Sequence, residues 1–223
     1  MKEGTCSQLI QSPLPQADHV RLKRTSLWQA ILGMLAVGIL HALLPPKLLI
    51  GPVWLLLVIE AVFLVPIIVL LLTKHRLLYP LLLMLLGVLT LGLASDIVLL
   101  IVTVVADKYA TILLRSALLL WGSNILVFGL WYWHIDGGGP VKRQQSGSQA
   151  ADFLFPQQEN GNPTAWIPYF LDYLFLAFTG ATALSPADMF PLTQRAKALM
   201  MIEALLTLLV VLVPTVSQFH LPW

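Results

Sequence analysis

Residues 170–201 read FLDYLFLAFTGATALSPADMFPLTQRAKALMM. An acid, Asp172, opens the stretch. The small and hydroxylated run Thr179-Gly180-Ala181-Thr182-Ala183 fills its middle, and Ser185-Pro186-Ala187-Asp188 breaks it. The break is a helix-start signal: a capping hydroxyl, proline at the first helical position and an acid three residues after the cap. Arg195 and Lys197 then lead into a last apolar run. Whether this stretch crosses a membrane once or twice decides the fold of the whole chain.

The composition around it predicts a membrane protein. Of 223 residues, 58% are hydrophobic and 11% are charged, and the mean hydropathy is +0.83. Soluble domains carry about 25% charged residues, so this chain has too few to cover a water-facing surface. An all-α, polytopic transmembrane bundle follows. The formal charge of +2 carries no implication of nucleic acid. Cys6 is the only cysteine, which excludes an internal disulfide and leaves no Cys/His zinc pattern. His19, His75, His134 and His220 fall in tails, loops or interfaces, and His41 falls at headgroup level, none with a metal-ligand spacing. No metal and no cofactor is expected. There is no nucleophile–base pairing and no glycine-rich phosphate loop, so the chain does not read as an enzyme.

Four parts follow in order. Residues 1–26 are a polar cytoplasmic tail ending in Arg21, Lys23 and Arg24. The next apolar run has no cleavage pattern after it and reads as a retained signal anchor. Residues 27–135 hold four transmembrane helices. The first, 27–44, is stopped by Pro45-Pro46; the second, 52–72, carries Glu60 and a kinking Pro66. The third, 77–106, carries Asp96, with Gly87 and Gly92 as places for a break or a close contact. The fourth, 111–133, holds Arg115 early and Asn124 near its middle, and closes on a Trp131-Tyr132-Trp133 girdle. Residues 136–165 are a polar loop of about 30 residues, longer than most connections. Inside it Asp152-Phe153-Leu154-Phe155-Pro156 is apolar enough to dock at the interface. Residues 166–223 are a two-helix unit, 166–184 and 193–213, ending at Pro214.

Charge decides the orientation. With a cytoplasmic N-terminus and six spans, Lys2, Arg21, Lys23, Arg24, Lys74, Arg76, Lys142 and Arg143 lie inside. Lys47, Lys108, Arg115, Arg195 and Lys197 lie outside, eight against five. If residues 166–188 instead dip in and return, Arg195 and Lys197 move inside and the count becomes ten against three. Length argues the other way, because residues 166–184 are close to the roughly 20 residues that span a bilayer. Six spans is the expectation, and five spans plus a re-entrant segment is the alternative.

Charges inside spans each need a partner or a wet cavity. Glu60, Asp96 and Arg115 fall on three helices at similar depth. They read as a salt bridge tying helices 2, 3 and 4 together, as a proton or cation relay, or as side chains snorkelling to the interface. Asp172, Thr179, Thr182, Ser185, Asp188 and Glu203 read as a polar path along the last two helices. The small residues among them serve equally for close helix packing.

The runs WGSNILVFGLWYWHIDGGGP (121–140), DFLFPQ (152–157) and 172–201 resemble a group of uncharacterised bacterial multi-pass inner-membrane proteins. The same half resembles the two-helix pore region of tetrameric cation channels: outer helix, turret, short helix, filter, inner helix. Residues 182–188 stand where those channels carry their filter, with both filter glycines replaced and a proline added, so the resemblance does not extend to potassium selectivity. It implies a bacterial inner membrane, a channel-like or transport-related activity, a monovalent cation or proton as ligand, and further copies of the chain and lipid as partners. A structural or partner-binding subunit without transport is the other reading of the same residues.

Overall fold

The computed structural model describes residues 16–49, 51–52, 54–73, 77–106, 110–139, 151–159, 168–182 and 189–219. The fold is all-α, with six principal helices. They are α1 (Gln16–Ala42), α2 (Trp54–Thr73), α3 (Leu78–Ala106), α4 (Ala110–Ile135), α5 (Phe170–Thr182) and α6 (Gln194–Phe219). A helical turn, Pro156–Glu159, two tighter turns, Pro46–Leu48 and Asp136–Gly138, and two two-residue strands, β1 (Phe153–Leu154) and β2 (Phe190–Pro191), complete the described elements.

Boundaries differ from the expectation at three places. α1 starts at Gln16, so part of the polar tail is helical. α6 continues through Pro214 to Phe219; a helix in a bundle tolerates an interior proline when neighbours and local adjustments re-satisfy the freed carbonyl. α3 runs unbroken through Gly87 and Gly92, with open space beside Gly87 and only ordinary contact with Leu56 beside Gly92.

Contacts fix the direction of every helix. α4 lies at the centre, packed on α1, α3, α5 and α6. Its C-terminus defines one end of the bundle, the near end. Gly33 of α1 packs on Leu130 and Phe170, while Leu40 packs on Gly122, so α1 enters at the near end and runs antiparallel to α4. Gly38 of α1 holds Leu57 and Glu60 of α2, so α2 starts at the far end. Tyr79, at the start of α3, donates to the His134 carbonyl at the near end, and Asp96 meets His41 toward the far end.

α5 and α6 break the alternation. At the near end Tyr173 of α5 meets Asp136, and Arg195 of α6 meets Asp152. Deeper, Leu174 lies on Gly129, Phe178 on Trp121, and Glu203 of α6 on Gly180 of α5. Both helices therefore enter from the same end and run side by side in the same direction. β2, just before α6, pairs antiparallel with β1 (Phe153↔Pro191, Leu154↔Phe190), which returns the chain to the near end. The described part of α5 is 13 residues long, about 20 Å at 1.5 Å per residue. The expected hand-over from helix 5 to helix 6 falls at residues 183–188, which lie outside the described residues.

The exterior is apolar. Trp28, Leu32, Leu35, Ile39 and Leu43 form an exposed stripe on α1; Met84, Leu91 and Val98 do so on α3; Met201, Leu205, Leu208 and Leu212 on α6. The interior holds Glu60, Asp96, Asn124, His134, Asp136, Asp152 and Glu203, all buried. Among the described residues, two helical stretches, 78–103 and 113–138, are long and apolar enough to cross a membrane.

Candidate functional site

The α4–α5–α6 unit is built in two storeys. At the near end, three glycines in a row turn the chain after α4, Gly137, Gly138 and Gly139 at φ 59°, 76° and 98°. This left-handed backbone suits glycine, which has no Cβ to clash. The turn presents Asp136, whose Oδ1 accepts the backbone N–H groups of Asp152 (2.6 Å) and Phe153 (3.3 Å) and whose Oδ2 accepts the Tyr173 hydroxyl (2.5 Å). Asp152 in turn is fully buried. Its Oδ1 accepts the Thr193 hydroxyl (2.5 Å) and Arg195 Nε (2.6 Å), and its Oδ2 accepts Arg195 Nη2 (2.7 Å) and the Gly137 N–H (3.2 Å). The fork of a guanidinium matches a carboxylate in this two-point manner. Phe153 and Phe155 fill the space between Tyr132 and Tyr173. The 152–156 segment thus packs inside the end of the bundle and clamps α4, α5 and α6 together.

Below this clamp lies Glu203, 1% exposed. The Tyr132 hydroxyl makes a short hydrogen bond to its Oε2. Asn124 Nδ2 donates to Thr207 Oγ1 (2.8 Å) and to the Glu203 carbonyl (3.3 Å). Glu203 Oε1 and Asn124 Oδ1 are buried and have no hydrogen-bond partner. Gly180 makes room for the carboxyl: a Cβ there would stand 2.9 Å from Oε2.

Of the described members of the expected polar path, only Glu203 sits in this interior cluster. Asp172 is at the near end, where its Oδ2 accepts the Tyr169 N–H (2.6 Å), capping the first turn of α5. Thr179 and Thr182 donate to the carbonyls of Leu176 and Phe178, each 2.8 Å, within their own helix. Ser185 and Asp188 lie outside the described residues.

The expected Glu60–Asp96–Arg115 cluster is rearranged. Asp96 pairs with His41 Nδ1 at 2.8 Å, so His41 faces the interior instead of the headgroups. Glu60 lies in the notch left by Gly38, with Oε1 buried and without a hydrogen-bond partner. Arg115 is exposed on α4 and bonds neither acid. A long guanidinium side chain near a helix start reaches water more cheaply than it enters the bundle.

Tyr132, Asn124, Asp136 and Tyr173 were not marked as site residues by their sequence context. A helical count could have found part of the set, because Asn124, Phe128 and Tyr132 stand four residues apart on one face of α4. The aromatic girdle reading concealed it: Tyr132 and Trp133 are fully buried, and Trp131 donates its indole N–H to Thr90 (2.8 Å). Among the described residues, no group of three or more His, Cys, Asp or Glu side chains is placed to hold a metal ion.

No family model, no curated protein and no solved structure matches this chain.

Proposed function

We propose that this is a multi-pass membrane protein with a cytoplasmic N-terminus and a channel-like or transport activity, without catalysis. In this reading the chain crosses five times and α5 is a re-entrant half-helix. The observation that carries it is the parallel insertion of α5 and α6 from one end of the bundle. In this reading α5 enters to mid-depth beside α6, which crosses fully. Non-helical backbone at membrane depth is tolerated where it is enclosed by protein or lines a cavity.

Three further observations support the reading. The apolar exterior suits lipid contact on α1, α2, α3 and α6. In the five-crossing count, Lys2, Arg21, Lys23, Arg24, Lys74, Arg76, Lys142, Arg143, Arg195 and Lys197 fall on the side of the N-terminus, and Lys47, Lys108 and Arg115 on the other. Ten cations against three orients the near end to the cytoplasm. The order outer helix, loop, short helix, inner helix also agrees with the pore-region resemblance.

The test is flux. The full chain in liposomes conducts protons or monovalent cations above empty vesicles, and Glu203→Gln changes the rate. No flux of any of several cations, in either direction of a pH gradient, overturns the reading. The second reading is a structural or partner-binding subunit, and one observation favours it: Thr179 and Thr182 spend their hydroxyls on their own helix. It predicts that Asp172→Asn and Glu203→Gln reduce assembly; normal assembly of both variants counts against it.

A further inference from the structure

The Glu203 carboxyl is a monoacidic pocket with one oxygen engaged and one left over. Oε2 is taken by the phenol of Tyr132. Oε1 is buried without a partner, and Asn124 Oδ1, in the same layer of α4 and α6, is a second buried acceptor without a donor. A buried carboxylate with no cation beside it is costly, so the group takes up a neutralising charge. Its surroundings add to that demand. Gly180 of α5 lies against the carboxyl, a Cβ there standing 2.9 Å from Oε2, so the acid is pressed against a neighbouring helix as well.

No basic residue among the described ones answers it. Tyr132 is the titratable side chain that faces Glu203 from α4. On α5, Asp172 caps the far-removed first turn and Tyr173 is held by Asp136. On α3, Tyr79 bonds the His134 carbonyl and Asp96 holds His41. On α6 itself, Arg195 is engaged by Asp152, two turns earlier. Potassium is held by rings of carbonyls and calcium by about six to eight oxygens; here the buried oxygens without a partner are one carboxylate oxygen and one amide oxygen.

We propose that Glu203 is a proton-binding site and that the proton is the cation this protein moves. As an account of what is moved, the inference rests on the transport reading above. A proton from water bonds to Oε1, converts the carboxylate to a neutral acid and gives the pocket the donor it lacks. Tyr132 is the positioning residue: its hydroxyl holds Oε2 and leaves Oε1 as the atom that takes the proton. The site touches α5 through Gly180, so loading and unloading are felt along the half-helix.

The full chain in lipid, studied by infrared difference spectroscopy across a pH range, tests the site without transport. A protonated-carboxyl C=O band is expected in wild type, absent in Glu203→Gln and shifted in Tyr132→Phe, which keeps the acid but removes its donor. Overlapping wild-type and Glu203→Gln spectra overturn the proposal. So does a band that sodium or potassium removes at constant pH, because an alkali cation then occupies the pocket. In liposomes, proton flux falls to the empty-vesicle rate in Glu203→Gln. Alkali flux without proton flux overturns the proton assignment and leaves the transport reading intact. A titrating Glu203 band with no flux of any cation keeps the binding site and removes transport.

Discussion

At the scale of single residues, the clamp at the near end is the most consequential chemistry outside the pocket. Its two partners are unequal. Asp152 is buried while the Arg195 side chain is 57% exposed. Removing the arginine leaves a buried carboxylate behind; removing the carboxylate leaves an arginine that can turn to water. Arg195→Ala is therefore expected to cost about 3–5 kcal/mol, the range for breaking a buried pair. Asp152→Asn is expected to cost about 1.5–3 kcal/mol, the range for hydrogen bonds to a charged group. Thermal unfolding of the two variants in the same detergent measures the order, and equal shifts in Tm refute the argument. Arg195→Lys restores little of the loss, because an ammonium cannot supply Nε and Nη2 together. Legibility at this scale was uneven. Glu203 stands out as an acid in an apolar run, whereas Asp152 looked like the edge of a docking segment and Asp136 like a helix stop. Their value comes from partners far away in the chain, 37 residues on in Tyr173 for Asp136 and 43 on in Arg195 for Asp152.

At the scale of elements, glycine position separates packing from tolerance. Gly129 of α4 lies against α5 so closely that a Cβ would stand 3.2 Å from Leu174 Cα. Backbone cannot step aside as a flexible side chain does, so Gly129→Ala is expected to destabilise by about 1–3 kcal/mol, as overpacking does. It should also loosen α5, read as faster cysteine labelling at Phe178→Cys. Gly87 of α3 meets nothing within 4 Å, so Gly87→Ala is expected to be neutral or to stabilise by about 0.5–1 kcal/mol. Similar shifts for the two alanines would refute the close approach of α4 and α5. The strand pair offers a third check. Leu154 and Phe190 are register partners, and Leu154→Cys with Phe190→Cys is expected to form a disulfide under mild oxidation. Failure to cross-link would detach β1 from the start of α6. Five of the six helices were readable from apolar runs and their proline or glycine ends. The length of α5 was not, because residues 166–184 are hydrophobic enough to span and nothing local says where the helix stops.

At the scale of the whole molecule, the question is which ends share a side. In a Cys6→Ser background, single cysteines at Ser148, Asp188 and Phe219 are labelled from either face of the membrane. With α5 re-entrant, Ser148 and Asp188 react from the cytoplasmic side and Phe219 from the other. Six crossings would instead pair Ser148 with Phe219, and that result overturns the five-crossing arrangement.

The amino-acid sequence determined the lipid-compatible composition, the helix class, the polar acids that need partners and both candidate topologies with their charge counts. Those properties are local or additive: hydropathy sums along a run, prolines and glycines act where they stand, and basic residues count by loop. Only the tertiary structure sorted the acids, and the parallel α5 and α6 on which the five-crossing proposal rests came from it as well. Asp96 went to His41, Asp152 to Arg195, and Glu203 to Tyr132. Stretch 170–201 carries the small residues for either arrangement. What turns it back toward its own start is Asp136 and Asp152, held by a glycine turn and a buried loop that belong to other parts of the chain. Partner choice among buried polar groups depends on which helices the fold brings within about 3 Å, and no spacing along one helix records that.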